Sequence, residues 1–249
     1  MAARSPGPST CCRTPVPDLL TLRLRESLAA TPRARILRID LAHHRFDFHA
    51  GQAVLVGLHG GPRRPYSIAV APEDVRRTGC LELLVQIEDD GTSPGHLSLE
   101  PASLLDVEGP IGSFRFPDRP MERSLLFIAG GTGIAPLRAM LRHVLAARPD
   151  LRIGLLYSAR TPAEFAYQEE LRDLATRGRI ELHQTVTRET PPGWTRRQGR
   201  IDRDTLAELV HEPETLCFLC GPPALLESIP PILTGLGVAP IRIRMEEWG

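Results

Sequence analysis

The sequence predicts a β + α/β protein: a small antiparallel barrel followed by an open parallel sheet covered by helices. Three observations carry that prediction. Residues from about Leu20 to Phe116 form short apolar runs of alternating pattern, broken by Gly and Pro. After a polar stretch with two prolines, FPDRPMERS, the rhythm changes to strand, helix, strand, helix. At 249 residues the chain is also long enough for two domains of ordinary size.

The first part holds six apolar runs: TLRLRES, ARILRIDL, QAVLVGL, YSIAVA, LELLVQI and LLDVEGP. So many strands in so short a stretch, with no long helical pattern among them, suit a Greek-key β-barrel. In the second part the apolar runs are SLLFIAG, RIGLLYS, IELHQTV, TLCFLCG and IRIRM. Between them lie the helical stretches PLRAMLRHVLAA, AEFAYQEELRDLA, RDTLAELV and ALLESIPPILTGL. This alternation predicts a Rossmann-like domain on a five-stranded parallel sheet. Pro230 and Pro231 fall inside the last helix, which is expected to be short or kinked there. The boundaries read as a disordered leader over 1–17, rich in Pro and Ser, a barrel over 18–118 and the α/β domain over 119–249.

Composition removes several functions. The 30 basic and 30 acidic residues balance, so no long-range field marks a binder of nucleic acid or of an anionic membrane. Every basic residue is Arg. Without Lys there is no Schiff base, no pyridoxal-phosphate attachment and no GxxxxGK[ST] loop. No apolar run approaches the roughly 20 residues that span a bilayer, and the first residues lack the apolar middle of a secretory signal. The expectation is a cytoplasmic protein without a membrane span. Five cysteines, an odd number, argue against a disulfide framework. Cys217 and Cys220 form a CxxC, but an i, i+3 pair on a strand points to opposite faces. The eight histidines show no HExxH, and no CxxxxCxxC set exists, so neither a metal nor an iron-sulfur centre is expected.

Three motifs carry chemistry. In IAGGTGIAPLRAML, an apolar strand runs into Gly130, Gly131, Thr132 and Gly133, and a helix begins near Pro136. Glycines let a ligand approach the backbone, and free amides at a helix start favour an anion such as a pyrophosphate. A tight strand-to-helix turn is the alternative, and this is not the GxGxxG fingerprint. Arg64-Pro65-Tyr66-Ser67, preceded by Phe48-x-x-Gly51-Gln52, offers a phosphate fork, a flat ring and a hydroxyl on one short segment. A structural Tyr on a barrel strand is the alternative there. Cys220-Gly221-Pro222-Pro223 ends the fourth strand of the second part, at the carboxyl edge where open parallel sheets bind ligands. The alternative is a buried, inert Cys.

With RxYS, GGTGxxP and CGPP in this order and on these elements, the chain resembles the ferredoxin-NADP reductase family from about residue 18 to its end. The resemblance implies a flavoprotein that takes a hydride from NADPH or NADH onto FAD and passes electrons to a separate acceptor protein. That acceptor would be a ferredoxin, an oxygenase component or a cytochrome. FAD is expected rather than FMN, because the barrel motif and the terminal aromatic look like those of FAD-binding members. Arg64 would hold the flavin pyrophosphate, Tyr66 would pack on the isoalloxazine, and Ser67 would sit near N5. Gly91, Thr92 and Ser93 resemble the family's second phosphate loop, GxxS, at irregular spacing. Gly130 to Pro136 would receive the dinucleotide, and Cys220, with Gly221 and Pro222, would lie beside the nicotinamide. Glu246 and Trp248 match a terminal acid-x-aromatic pattern that ends over the flavin, with Glu246 a candidate proton relay. Ser158 and Arg160, in a segment without an acid, lean toward the 2′-phosphate of NADPH. A diaphorase or free-flavin reductase, and a non-enzymatic flavin- or nucleotide-binding subunit of a larger complex, are the other readings.

Overall fold

The computed structural model describes residues 18–88, 91–118, 120–148, 150–188 and 192–246. The leader and Trp248 lie outside the described residues. Six strands form the first sheet: β1 (Asp18–Thr31), β2 (Ala34–Asp40), β3 (Ala53–Leu58), β4 (Arg64–Ser67), β5 (Cys80–Gln86) and β6 (Leu104–Ile111). Their order is β4-β3-β6-β1-β2-β5, with every pairing antiparallel. The two edges, β4 and β5, meet through a bridge between Ile68 and Leu83, and the Ala69 amide donates to the Glu82 carbonyl at 2.8 Å. The sheet therefore closes into a barrel at the end of the RPYS strand. Alternate residues such as Leu22, Leu24, Leu37, Ile39, Val54, Val56, Leu81, Leu83, Leu105 and Val107 fill its interior. Between β4 and β5 runs a short helix, α1 (Pro72–Thr78), which the strand pattern of this region does not announce. Its ends are written locally: Pro72 starts it, Glu73 and Asp74 occupy the first turn, and left-handed Gly79 (φ 70°) ends it.

The second sheet holds β7 (Ser124–Gly130), β8 (Arg152–Ala159), β9 (Glu181–Val186), β10 (Arg197–Gln198), β11 (Leu216–Cys220) and β12 (Ile243–Glu246). It carries α2 (Ile134–Ala147), α3 (Gln168–Thr176), α4 (Arg203–Ala207) and α5 (Pro223–Gly235). The order is β10-β9-β8-β7-β11-β12, and all pairings are parallel. The sixth strand, β10, is two residues long and too short to leave a pattern in the sequence. From β7 the chain builds outward to one side through β8, β9 and β10, then returns to β11 and β12 on the other. The switch point thus lies between the carboxyl ends of β7 and β11, which are GGTG and CGPP.

Two helices differ from expectation. Only the second half of AEFAYQEELRDLA becomes α3, because Phe165 and Ala166 are buried and Tyr167 takes a left-handed turn (φ 58°). Phe165 packs edge-on against Tyr157 with centroids 5.0 Å apart. By contrast α5 runs unbroken through Pro230 and Pro231. Burial of Leu226, Ile229 and Leu233 against the sheet outweighs the roughly 3 kcal/mol that an interior proline costs. Cys217 and Cys220 do face opposite sides of β11, each in a different apolar cluster.

Barrel and sheet are joined by charge. Arg138 of α2, 7% exposed, donates to the Ala69 carbonyl at 2.6 Å, to Glu82 of β5 at 2.8 Å and to Glu170 of α3 at 2.8 Å. Its guanidinium lies 4.0 Å from the centre of the half-buried Tyr167 ring. One turn on, Arg142 bridges Asp74 of α1 and Glu170, at 2.6 Å each. Arg38 completes the run by donating to Glu82 at 2.9 Å.

Candidate active site

Pairing of β4 with β3 sets Val54 opposite Tyr66 and Ala53 opposite Ser67. Arg64 and Pro65 are exposed, whereas Tyr66 and Ser67 are half-buried. The Tyr66 ring therefore stands on the barrel wall with its hydroxyl 2.8 Å from His96 Nε2. Burial raises its pKa to about 12, against the pull of the Arg64 charge, so the phenol keeps its proton at neutral pH.

On the sheet side, Gly131 to Gly133 form one 3-10 turn between β7 and α2. The glycines do two different jobs. A Cβ on Gly133 would stand 2.3 Å from the Cys220 carbonyl oxygen, and one on Gly130 would stand 2.6 Å from Pro222 Cδ. These positions are bare so that the GGTG turn can pack directly on the CGPP loop. Gly131, left-handed at φ +54° with nothing within 4 Å of a built Cβ, leaves the wall open to a ligand. Tyr157, fully buried at the end of β8, fixes this turn: its hydroxyl donates to the Gly131 carbonyl at 3.0 Å and accepts from the Ala166 amide at 3.2 Å.

The two halves meet at Glu246. In β12 it sits in register with Cys220 and is buried, 7% exposed. Ser67 Oγ of the barrel donates to Glu246 Oε2 at 2.8 Å, and the Cys220 thiol approaches the same oxygen at 3.7 Å. Burial, and then the carboxylate, push the Cys220 thiol well above its ordinary pKa. It is a proton donor there and not a thiolate nucleophile.

Between these groups opens a cleft of about 720 Å³. Its walls include Tyr66 and Ser67, Gly130 to Gly133, Ser158 and Arg160, and Cys220, Gly221 and Pro222. Glu246 adjoins it through Ser67 and Cys220. Arg64 and the loop Gly91, Thr92 and Ser93 do not line it, and Ser93 donates its hydroxyl to the Leu97 carbonyl at 2.8 Å. Pro136 is buried at the third position of α2, away from the lining, and serves the helix and not the cleft surface. Sequence reasoning missed Arg188 and Arg200, which join Arg160 in the lining. Arg188 follows β9, and its amide donates to the Arg160 carbonyl at 3.0 Å. Only the order of the strands reveals this neighbourhood.

Two known oxidoreductase domains match the chain. Residues 20–116 match the oxidoreductase FAD-binding domain and residues 127–230 the oxidoreductase NAD-binding domain. The chain is 34% identical to ferredoxin--NADP reductase B of Sorangium cellulosum, over 88% of this chain and 93% of that one. Among solved structures, the cytochrome b5 reductase domain of Ulva prolifera nitrate reductase superposes with a TM-score of 0.78 at 26% identity, over 92% of this chain and 97% of that one. A cytochrome P450 reductase of Amycolatopsis gives 0.81 at 26% identity, over 96% of this chain and 73% of its own. Among the described residues, no helix is long and apolar enough to cross a membrane.

Proposed function

Since the chain belongs to the ferredoxin-NADP reductase family of FAD- and NAD-binding oxidoreductases, we propose that its cleft brings NAD(P)H against the flavin and that the electrons leave to a separate redox protein. The observation that carries this reading is the meeting of Ser67, Cys220 and Glu246 where barrel and sheet join. The residues present fit both ligands. One wall offers the flat, half-buried Tyr66 ring, and the other offers bare backbone at Gly131 beside a helix start. Bound FAD supplies the exchange between a two-electron donor and one-electron acceptors.

The chain's own residues bind, orient and move a proton. Arg64 holds the flavin diphosphate, and Tyr66 packs on its ring. Gly131, Thr132 and Gly221 receive the dinucleotide by their backbones, on a turn that Gly130 and Gly133 let pack against the CGPP loop, with Ser158 and Arg160 at its far end. Ser67 sits between the cleft and Glu246. A proton held at Glu246 Oε2 therefore has a direct path to Ser67 Oγ over 2.8 Å. The Cys220 S–H stays protonated and points at the same carboxylate oxygen at 3.7 Å. The exit of electrons to a ferredoxin or cytochrome is supported by the relatives' names.

Purified protein is expected to show flavin absorption that bleaches on addition of NADPH or NADH and returns with a one-electron acceptor. A colourless protein that takes up no FAD on reconstitution overturns the reading. Activity toward free flavin alone, with no protein acceptor reduced, would move it to a free-flavin reductase. Two variants test the assignments. Arg64→Ala is expected to weaken FAD binding roughly tenfold to a hundredfold, the loss of a charge-assisted hydrogen-bond fork. Unchanged occupancy at limiting FAD would make Arg64 a surface residue only. Arg160→Ala is expected to raise KM for NADPH about tenfold while leaving that for NADH within about twofold. Equal losses would show that Arg160 does not read the 2′-phosphate.

A further inference from the structure

His96 is almost wholly buried, 8% exposed, although it belongs to the loop that resembles the second phosphate site. Its Nε2 lies 2.8 Å from the Tyr66 hydroxyl, and the two rings are within 20° of parallel with centroids 5.8 Å apart. The loop is anchored at this residue, because the His96 carbonyl accepts the Leu58 amide of β3 at 2.8 Å. Ser93, which the resemblance assigns to phosphate, donates its hydroxyl to the Leu97 carbonyl at 2.8 Å. The imidazole is thus the side chain of this loop that can carry positive charge, and it is held against the tyrosine assigned to the flavin.

We propose that His96 is a second anion-binding residue for the flavin diphosphate, beside Arg64, and that it takes up one proton from solvent when FAD binds. This rests on the FAD-binding reading of the barrel. In the free protein, burial and then the Arg64 charge hold His96 below the usual imidazole range, so the ring is neutral at pH 7. Its Nε2 then accepts from Tyr66, which keeps its own proton. The diphosphate brings negative charge that offsets Arg64 and favours the imidazolium, whose N–H donates in turn. Among the described residues, Tyr66 and Arg64 from β4 face His96. On the β3 side, His59 follows Leu58 and is held by Asp106 of β6 at 2.9 Å.

The sign follows from linkage. If the pKa of His96 is higher in the complex than in the free protein, FAD affinity rises as pH falls between the two values and is flat outside them. One linked proton allows up to about tenfold in Kd per pH unit. The test titrates FAD into the full-length apoprotein from about pH 5.5 to about pH 8.5, a window that brackets an ordinary imidazole. Kd is read from the change in flavin fluorescence. Wild type is expected to bind at least roughly threefold more tightly at the acid end. In His96→Gln, whose amide keeps a partner for the Tyr66 hydroxyl, and in His96→Phe, which keeps a ring, the profile is expected to be flat. A flat wild-type profile, or the same slope in both variants, overturns the role of His96. Failure of wild type to bind FAD at any pH overturns the FAD reading and this inference with it.

Discussion

Arg138→Ala is expected to cost about 3–5 kcal/mol of stability, the range found when one partner of a buried ion pair is removed. For a chain of this size that corresponds to a fall in Tm of roughly 6–20 °C. The guanidinium ties α2 directly to the barrel. Its three acceptors, the Ala69 carbonyl, Glu82 and Glu170, lie on three different segments. Alanine leaves Glu82, 6% exposed, with Arg38 alone and removes the cation above the Tyr167 ring. The same loss should uncouple the two sheets, so that thermal unfolding broadens or splits into two steps. Arg138→Met combined with Glu82→Gln is expected to recover much of the loss, since it removes the stranded charge and keeps the volume. A single-variant Tm within about 2 °C of wild type, under one FAD concentration, would show that the network contributes little and that apolar packing alone joins the halves.

The arrangement explains why charge and not only apolar surface sits at this junction. Phe114 and Phe116, from the stretch after β6, pack on Phe218 of β11 with centroids 6.0 and 5.6 Å apart. Such packing is non-directional and would tolerate small rotations of one sheet on the other. Fork-shaped hydrogen bonds from Arg138 and Arg142 do not, because each guanidinium must meet carboxylates on both sides. A site assembled from Ser67 of one sheet and Glu246 of the other needs that restriction, since a shift of about 1 Å breaks a hydrogen bond of 2.8 Å.

Much of this was legible in the sequence, and what was not has a common cause. Period-2 patterning announced the barrel strands, and the alternation of apolar runs with helical stretches announced a parallel sheet covered on both faces, as the fully buried β7 and β11 bear out. Local punctuation placed the GGTG bend, whereas α1 and the Gly79 that ends it went unread. The glycines of that bend were visible but only partly understood. Sequence suggests ligand approach for all of them, whereas Gly130 and Gly133 serve contact with a loop some ninety residues further along the chain. Tyr157 and His96 look ordinary in sequence because their partners, Gly131 and Tyr66, come from other segments. The Arg138 network is likewise a product of strand order and not of spacing. Terminal Trp248, which the resemblance sets over the flavin, lies outside the described residues, and its role stays a proposal.

Ser67→Ala is expected to slow reduction of the bound flavin by NAD(P)H about 10²–10³-fold, the usual loss when one positioned donor is removed from a reacting centre. Ser67 is half-buried, so the change removes a hydroxyl and little packing. FAD should therefore remain bound, and KM for the nucleotide should move less than the reduction rate. The hydroxyl has two possible acceptors in turn: Glu246 Oε2, which it holds at 2.8 Å across 179 residues of chain, and the flavin when it is bound. Without it, Glu246 loses this hydrogen bond to the barrel, while the Cys220 thiol, held protonated by burial and by that carboxylate, still lies 3.7 Å from Oε2. Ser67→Thr keeps the hydroxyl and adds one methyl, so a rate within about tenfold of wild type separates loss of the donor from loss of fit. Stopped-flow mixing of the oxidised enzyme with excess NADPH and NADH gives the rate directly. If Ser67→Ala is reduced as fast as wild type with both nucleotides, Ser67 only bridges barrel and sheet, and the proton path from Glu246 must run elsewhere.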